Sequence, residues 1–88
     1  METYPSAERP TDSVETENYR GYTIELRYYK HPDSSLIPMH VYVCRGDSRT
    51  IVPFSEEMPT REFVTKDDAR RVGIAAAKRE IDKSENAA

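Results

Sequence analysis

Residues 64–81, VTKDDARRVGIAAAKREI, constrain the fold more than any other stretch, because their ends and their apolar stripe both demand a helix. Thr65 is an N-cap: its hydroxyl can accept a bond from an orphan N–H of the first turn. Asp67 and Asp68 put negative charge at the positive end of the helix dipole. Val64 and Ala69 hold the two positions of a hydrophobic staple. At about 100° per residue, Ala69, Val72, Gly73, Ala76, Ala77 and Ile81 gather on one side, and Asp67, Arg71, Ala75, Lys78 and Asp82 fall largely on the other. Gly73 sits mid-stripe, where it costs about 1 kcal/mol of helix propensity relative to Ala. The compensation to expect is close approach of another backbone, so the small-residue side predicts a sheet pressed against the helix. Ile74, off-centre, is expected to cover the flank of that contact.

The preceding residues supply the sheet. Residues 22–29, YTIELRYY, alternate with Tyr22, Ile24, Leu26 and Tyr28 on one face and Thr23, Glu25, Arg27 and Tyr29 on the other, although one bulge would exchange Tyr28 and Tyr29. Residues 30–38, with two prolines, read as a long turn. Residues 39–44, MHVYVC, alternate again, Met39, Val41 and Val43 toward the helix and His40, Tyr42 and Cys44 away. The run RGDS places Gly46 and Asp47 where a tight hairpin needs them, and Thr50, Ile51 and Val52 make a short third strand. Residues 53–62 read as a loop, with Phe54, Met58 and Phe63 closing the edge of the core. The predicted architecture is α+β: a three-stranded antiparallel β-meander with one C-terminal helix on one face, in residues 19–82. Residues 1–18 are expected to be a disordered acidic tail and residues 83–88 to fray.

An 88-residue chain with 36% hydrophobic content has room for one domain. It contains no apolar run of the roughly 20 residues that cross a bilayer and no basic-then-apolar leader. With the lone Cys44 this predicts a cytoplasmic protein. The net charge of −3 is uneven. Residues 1–18 carry five acids and one base, and residues 82–88 two acids and one base. Residues 19–81 therefore hold eleven bases against nine acids and are mildly basic.

Candidate chemistry is sparse. Arg45-Gly46-Asp47 matches an integrin-recognition tripeptide, but a hairpin turn demands Gly and Asp for backbone reasons alone. His40 and Cys44 share a strand face and His31 and Asp33 lie in the preceding loop, yet a structural zinc site wants four ligands in close-spaced pairs, and one thiol without an HxxxH or CxxC does not supply them. Cys44 has no base within hydrogen-bond reach on its own strand. The expectation is therefore no enzyme, no metal and no cofactor. The informative constellation is the outward sheet face, where Arg27, Tyr29, His40, Tyr42 and Arg49 mix aromatic and basic groups as nucleic-acid-binding sheets do. Arg70, Arg71, Lys78 and Arg79 add to it from the helix. An excess of two positive charges is small, however, beside the six to ten phosphate contacts of a strong binder.

The order strand, strand, strand, helix, with YRGY before the first strand and FVTKDDARRVGIAAAKREI at the end, resembles the plan of AP2-type and integrase arm-type DNA-binding domains. That resemblance implies a DNA-binding fold over most of residues 19–81. The Arg- and Trp-rich reading run of the AP2 family has no counterpart in a chain without Trp, so no base-reading residue carries over. The closing pattern T-x-x-x-A, small residues and ID is similar to that of short bacterial β-β-β-α proteins of unknown function, a likeness that implies a fold and no activity. The bare sheet face leads to the expectation of a protein-interaction module, its partner another protein or a second copy in a homodimer. Nucleic-acid binding through the same face is the alternative, and no membrane partner is expected.

Overall fold

The computed structural model describes residues 11–30 and 35–86. They form β1 (Thr11–Tyr19), β2 (Tyr22–Tyr29), β3 (Ile37–Arg45), β4 (Ser48–Ile51), β5 (Glu62–Phe63) and α1 (Lys66–Asn86). The first four strands run in sequence order as an antiparallel meander, and β5 pairs with the start of β3. The α+β class and the C-terminal helix on the sheet are as expected, with two strands more than the three foreseen.

The larger difference is β1. The acidic stretch read as a tail is, from Thr11 on, a nine-residue edge strand, paired with β2 from Thr11↔Tyr29 to Tyr19↔Tyr22. Residues 1–10 lie outside the described residues. β1 escapes the alternation rule because its helix-side positions are Ser13, Glu15, Glu17 and Tyr19, while its one aliphatic residue, Val14, faces outward. Polar seams replace apolar burial there. Glu15 accepts a bond from the Tyr28 hydroxyl at 2.8 Å, and Arg70 approaches Glu15 and Glu17 at 3.5 and 3.4 Å. Lys78 reaches Glu17 at 3.6 Å. The connecting turn is Arg20-Gly21 with φ of +53° and +84°, the pair of left-handed residues that a two-residue type I′ hairpin requires.

The helix meets the sheet where its small residues lie. Ile24, Leu26, Tyr28, Met39 and Val41 from the sheet are buried against Ala69, Ala76, Ala77 and Ile81. Tyr28 is therefore the inward member of the tyrosine pair. Gly73 is the closest point: a Cβ there would stand 2.8 Å from Met39 Cε, 2.9 Å from Leu26 Cδ2 and 3.0 Å from Val41 Cγ2. The close approach is thus by side chains of β2 and β3 rather than by backbone, and Ile74 packs at its flank as expected. Thr65 caps the helix by accepting the Asp68 N–H at 3.1 Å. No staple forms, since Val64 is 74% exposed. Met58 and Phe63 close the core edge, but Phe54 is 59% exposed and instead lies under the Arg61 guanidinium at 4.0 Å.

Residues 83–86, expected to fray, are helical because the β1–β2 hairpin holds that end. Asp82 accepts from Tyr19 at 2.9 Å and Arg20 at 2.7 Å; Glu85 accepts from Tyr22 at 2.8 Å and Arg45 at 3.3 Å. These donors, the Arg20 bond first and then Tyr19, hold the Asp82 carboxyl below its ordinary range.

Candidate functional site

With α1 on one side, no described element covers the opposite sheet face, whose side chains stand half-buried to exposed. The register aligns its outward side chains in rows: Asn18, Thr23, Cys44 and Arg49; then Thr16, Glu25, Tyr42 and Ile51; then Val14, Arg27 and His40. All five residues expected on this face, Arg27, Tyr29, His40, Tyr42 and Arg49, lie on it; the last four touch in a chain, and Arg27 joins them through Glu25. His40 Nδ1 is 3.2 Å from the Tyr29 hydroxyl, and its ring meets Tyr29 edge-on at a centroid distance of 5.0 Å. Tyr42 meets the other side of His40 at 6.3 Å, and Arg49 stacks on Tyr42 with its guanidinium carbon 3.8 Å from the ring centroid. At that distance the cation–π attraction also orients the arginine.

The residue missed on this face is Glu25. Its carboxylate receives the Arg27 Nε–H and, at 3.1 Å, an Arg49 N–H, so both arginines turn onto one central acid. Burial pushes the Glu25 carboxyl up, but the bonds from Arg27 and Arg49 outweigh it and hold it below its ordinary value. The alternation of residues 22–29 already put Glu25 on this face. Its role becomes visible only when the β3–β4 register brings Arg49 within reach. Val14 and Ile51, 45% and 43% exposed, add aliphatic surface at the two edges of the face.

The Cys44 thiol lies 3.9 Å from the Glu25 carboxylate. Burial, and then the neighbouring Glu25 charge, raise its thiol pKa, so the nucleophilic thiolate is disfavoured. Among the described residues no His, Cys, Asp and Glu side chains gather as a metal site requires, and His31 and Asp33 lie outside those residues. On the helix side a cleft of about 330 Å³ opens beside β4 over Val43, Val52 and Ile81, because Ser48 and Thr50 are too short to fill it. Two of the polar groups that line it, Tyr22 and Arg45, are both engaged with Glu85. No helix of the described residues is long and apolar enough to cross a membrane.

The helix cations singled out by sequence are likewise paired. Arg70 and Lys78 face Glu15 and Glu17, Arg71 faces Asp68 at 3.0 Å and Arg79 faces Glu57 at 2.7 Å. Once β1 joins the domain, residues 11–86 hold fourteen acids and twelve bases, so the mild basicity of residues 19–81 is reversed. Comparison with protein-family models, curated proteins and solved structures finds no match.

Proposed function

We propose that this chain is a protein-interaction module that docks through the open sheet face. One observation carries the reading: the face joins Tyr29, His40 and Tyr42 to exposed Val14 and Ile51, while its arginines are bound to its own Glu25. Aromatic and arginine-rich patches of low net charge are what protein interfaces enrich. A phosphate-binding face needs cations free to release counterions. Here a central carboxylate holds both arginines and repels phosphate, which supports a protein partner over nucleic acid.

Site-specific photo-crosslinking in the expressing cell tests the proposal. A photoreactive residue at position 51 should give discrete protein adducts, and one at the still more exposed position 64 should not. Adducts to nucleic acid, or equal labelling from both positions, would contradict it. In vitro, DNA and RNA oligomers at low salt should leave the amide resonances of Arg27, Tyr29 and Tyr42 unmoved.

A further inference from the structure

We infer that the occupant of the open face is a second copy of this chain, docked about a two-fold axis that crosses the strands between the Arg27/His40 row and the Glu25/Tyr42 row. The inference rests on reading the face as a protein-docking surface and adds the partner and the geometry. A two-fold at that place keeps each strand over its own counterpart and exchanges the two rows. Arg27 of one copy then lies over Glu25 of the other, and Glu25 over Arg27. Tyr42 lies over His40, and Val14 over Thr16, with each contact made twice. Because these residues are row neighbours by register, the charge pattern of the face is complementary to itself. The alternative two-fold, parallel to the strands, places Glu25 over Tyr42 and Arg27 over His40 and leaves both charges without a partner across the interface.

Size sets the strength. Four strands at about 4.8 Å spacing and rows over roughly 27 Å give a footprint of roughly 500 Å² per copy. Against about 800 Å² per partner in a standard stable interface, this is the low end. The dimer is therefore weak and concentration-dependent, formed by two-sheet packing with the helices outermost.

Sedimentation velocity of the full chain and of two charge-reversed variants tests the geometry. Wild type should pass from monomer to dimer as concentration rises. Arg27→Glu alone leaves two acids facing two acids, and Glu25→Arg alone leaves two bases facing two bases. Each should raise the dimer dissociation constant at least tenfold. An equimolar mixture of the two variants should recover a dimer, because both acids of one copy now face both bases of the other. If Glu25→Arg disturbs the fold, judged by circular dichroism, the exposed pair Val14→Lys and Thr16→Glu serves instead: the mixture should dimerise more tightly than either variant alone. A wild-type chain monomeric up to about 1 mM overturns the second copy as occupant, while crosslinks from position 51 to another protein would leave the docking reading standing. A dimer that forms in wild type but is indifferent to all four substitutions uses another surface and likewise overturns the second copy as occupant of this face, whereas loss of position-51 adducts overturns the docking reading itself.

Discussion

The two faces of this sheet share strands but are built on opposite principles. The covered face is apolar and close-packed: Ile24, Leu26, Tyr28, Met39 and Val41 leave no room at Gly73 for even a methyl group. The open face is partly exposed and polar, and its cohesion comes from one carboxylate, two guanidiniums and a string of three rings. Burial of apolar area stabilises in proportion to area, whereas exposed ion pairs contribute about 0–1 kcal/mol each. The covered face therefore carries the stability of the domain, and the open face can be altered with little effect on folding.

The sharpest way to break this contrast is on the covered face. Gly73→Val forces a branched side chain into the sheet contact and should leave the chain largely unfolded at room temperature by circular dichroism. Leu26→Ala, which opens a cavity beside Gly73, should cost about 2–5 kcal/mol in urea denaturation. Gly73→Ala sets overpacking of about 1–3 kcal/mol against about 1 kcal/mol of recovered helix propensity. It should lower the melting temperature, since the Met39 terminus can shift but Leu26 and Val41 are held by the strands.

At the rim between the faces, Glu15→Ala removes the acceptor of the Tyr28 hydroxyl, whose pKa is driven far up, first by burial and then by that bond. Leaving such a group without a partner costs about 1–3 kcal/mol, and truncation of residues 11–18 should cost more than this single change. On the open face, Glu25→Gln should change stability at neutral pH little but alter its acid limb. The folded-state pKa of Glu25 lies below its ordinary 4.5. Its contribution is thus complete above that value and is lost as pH falls through the depressed one. The Gln variant should lack that component of acid unfolding. The smallest effect belongs to Ile51→Glu, a 43% exposed position, which should stay within about 0.5 kcal/mol of wild type.

This ordering also separates what could be read in the sequence from what could not. The helix was legible because cap, dipole charges and stripe agree, and the inward set of β2 and β3 because apolar and polar residues alternate. Gly73 announced its contact by being a poor helix residue in the middle of the apolar side. β1 was not legible, because Glu15 and Glu17 face the helix and are matched by Arg70 and Lys78, fifty or more residues away. No local pattern encodes that partnership. Phe54 misled in the opposite sense: an aromatic residue in a loop was expected in the core, yet it is an exposed platform for Arg61. Four of the outward residues of the candidate site, Arg27, Tyr29, His40 and Tyr42, followed from period-two alternation. Arg49 lay outside the 50–52 read as the third strand and joins the face because β4 runs from Ser48 to Ile51, and the role of Glu25 needed the register of three strands.

Packing of the open face on a second copy of itself is the central structural claim, and an amide chemical-shift map of the wild-type chain across a dilution series tests that directly. The amides of Glu25, Arg27, His40 and Tyr42 should move together with concentration while those of Arg70 to Arg79 on the helix stay fixed. Shifts confined to the helix, or a map in which the strands respond no more than the rest of the chain, would contradict it.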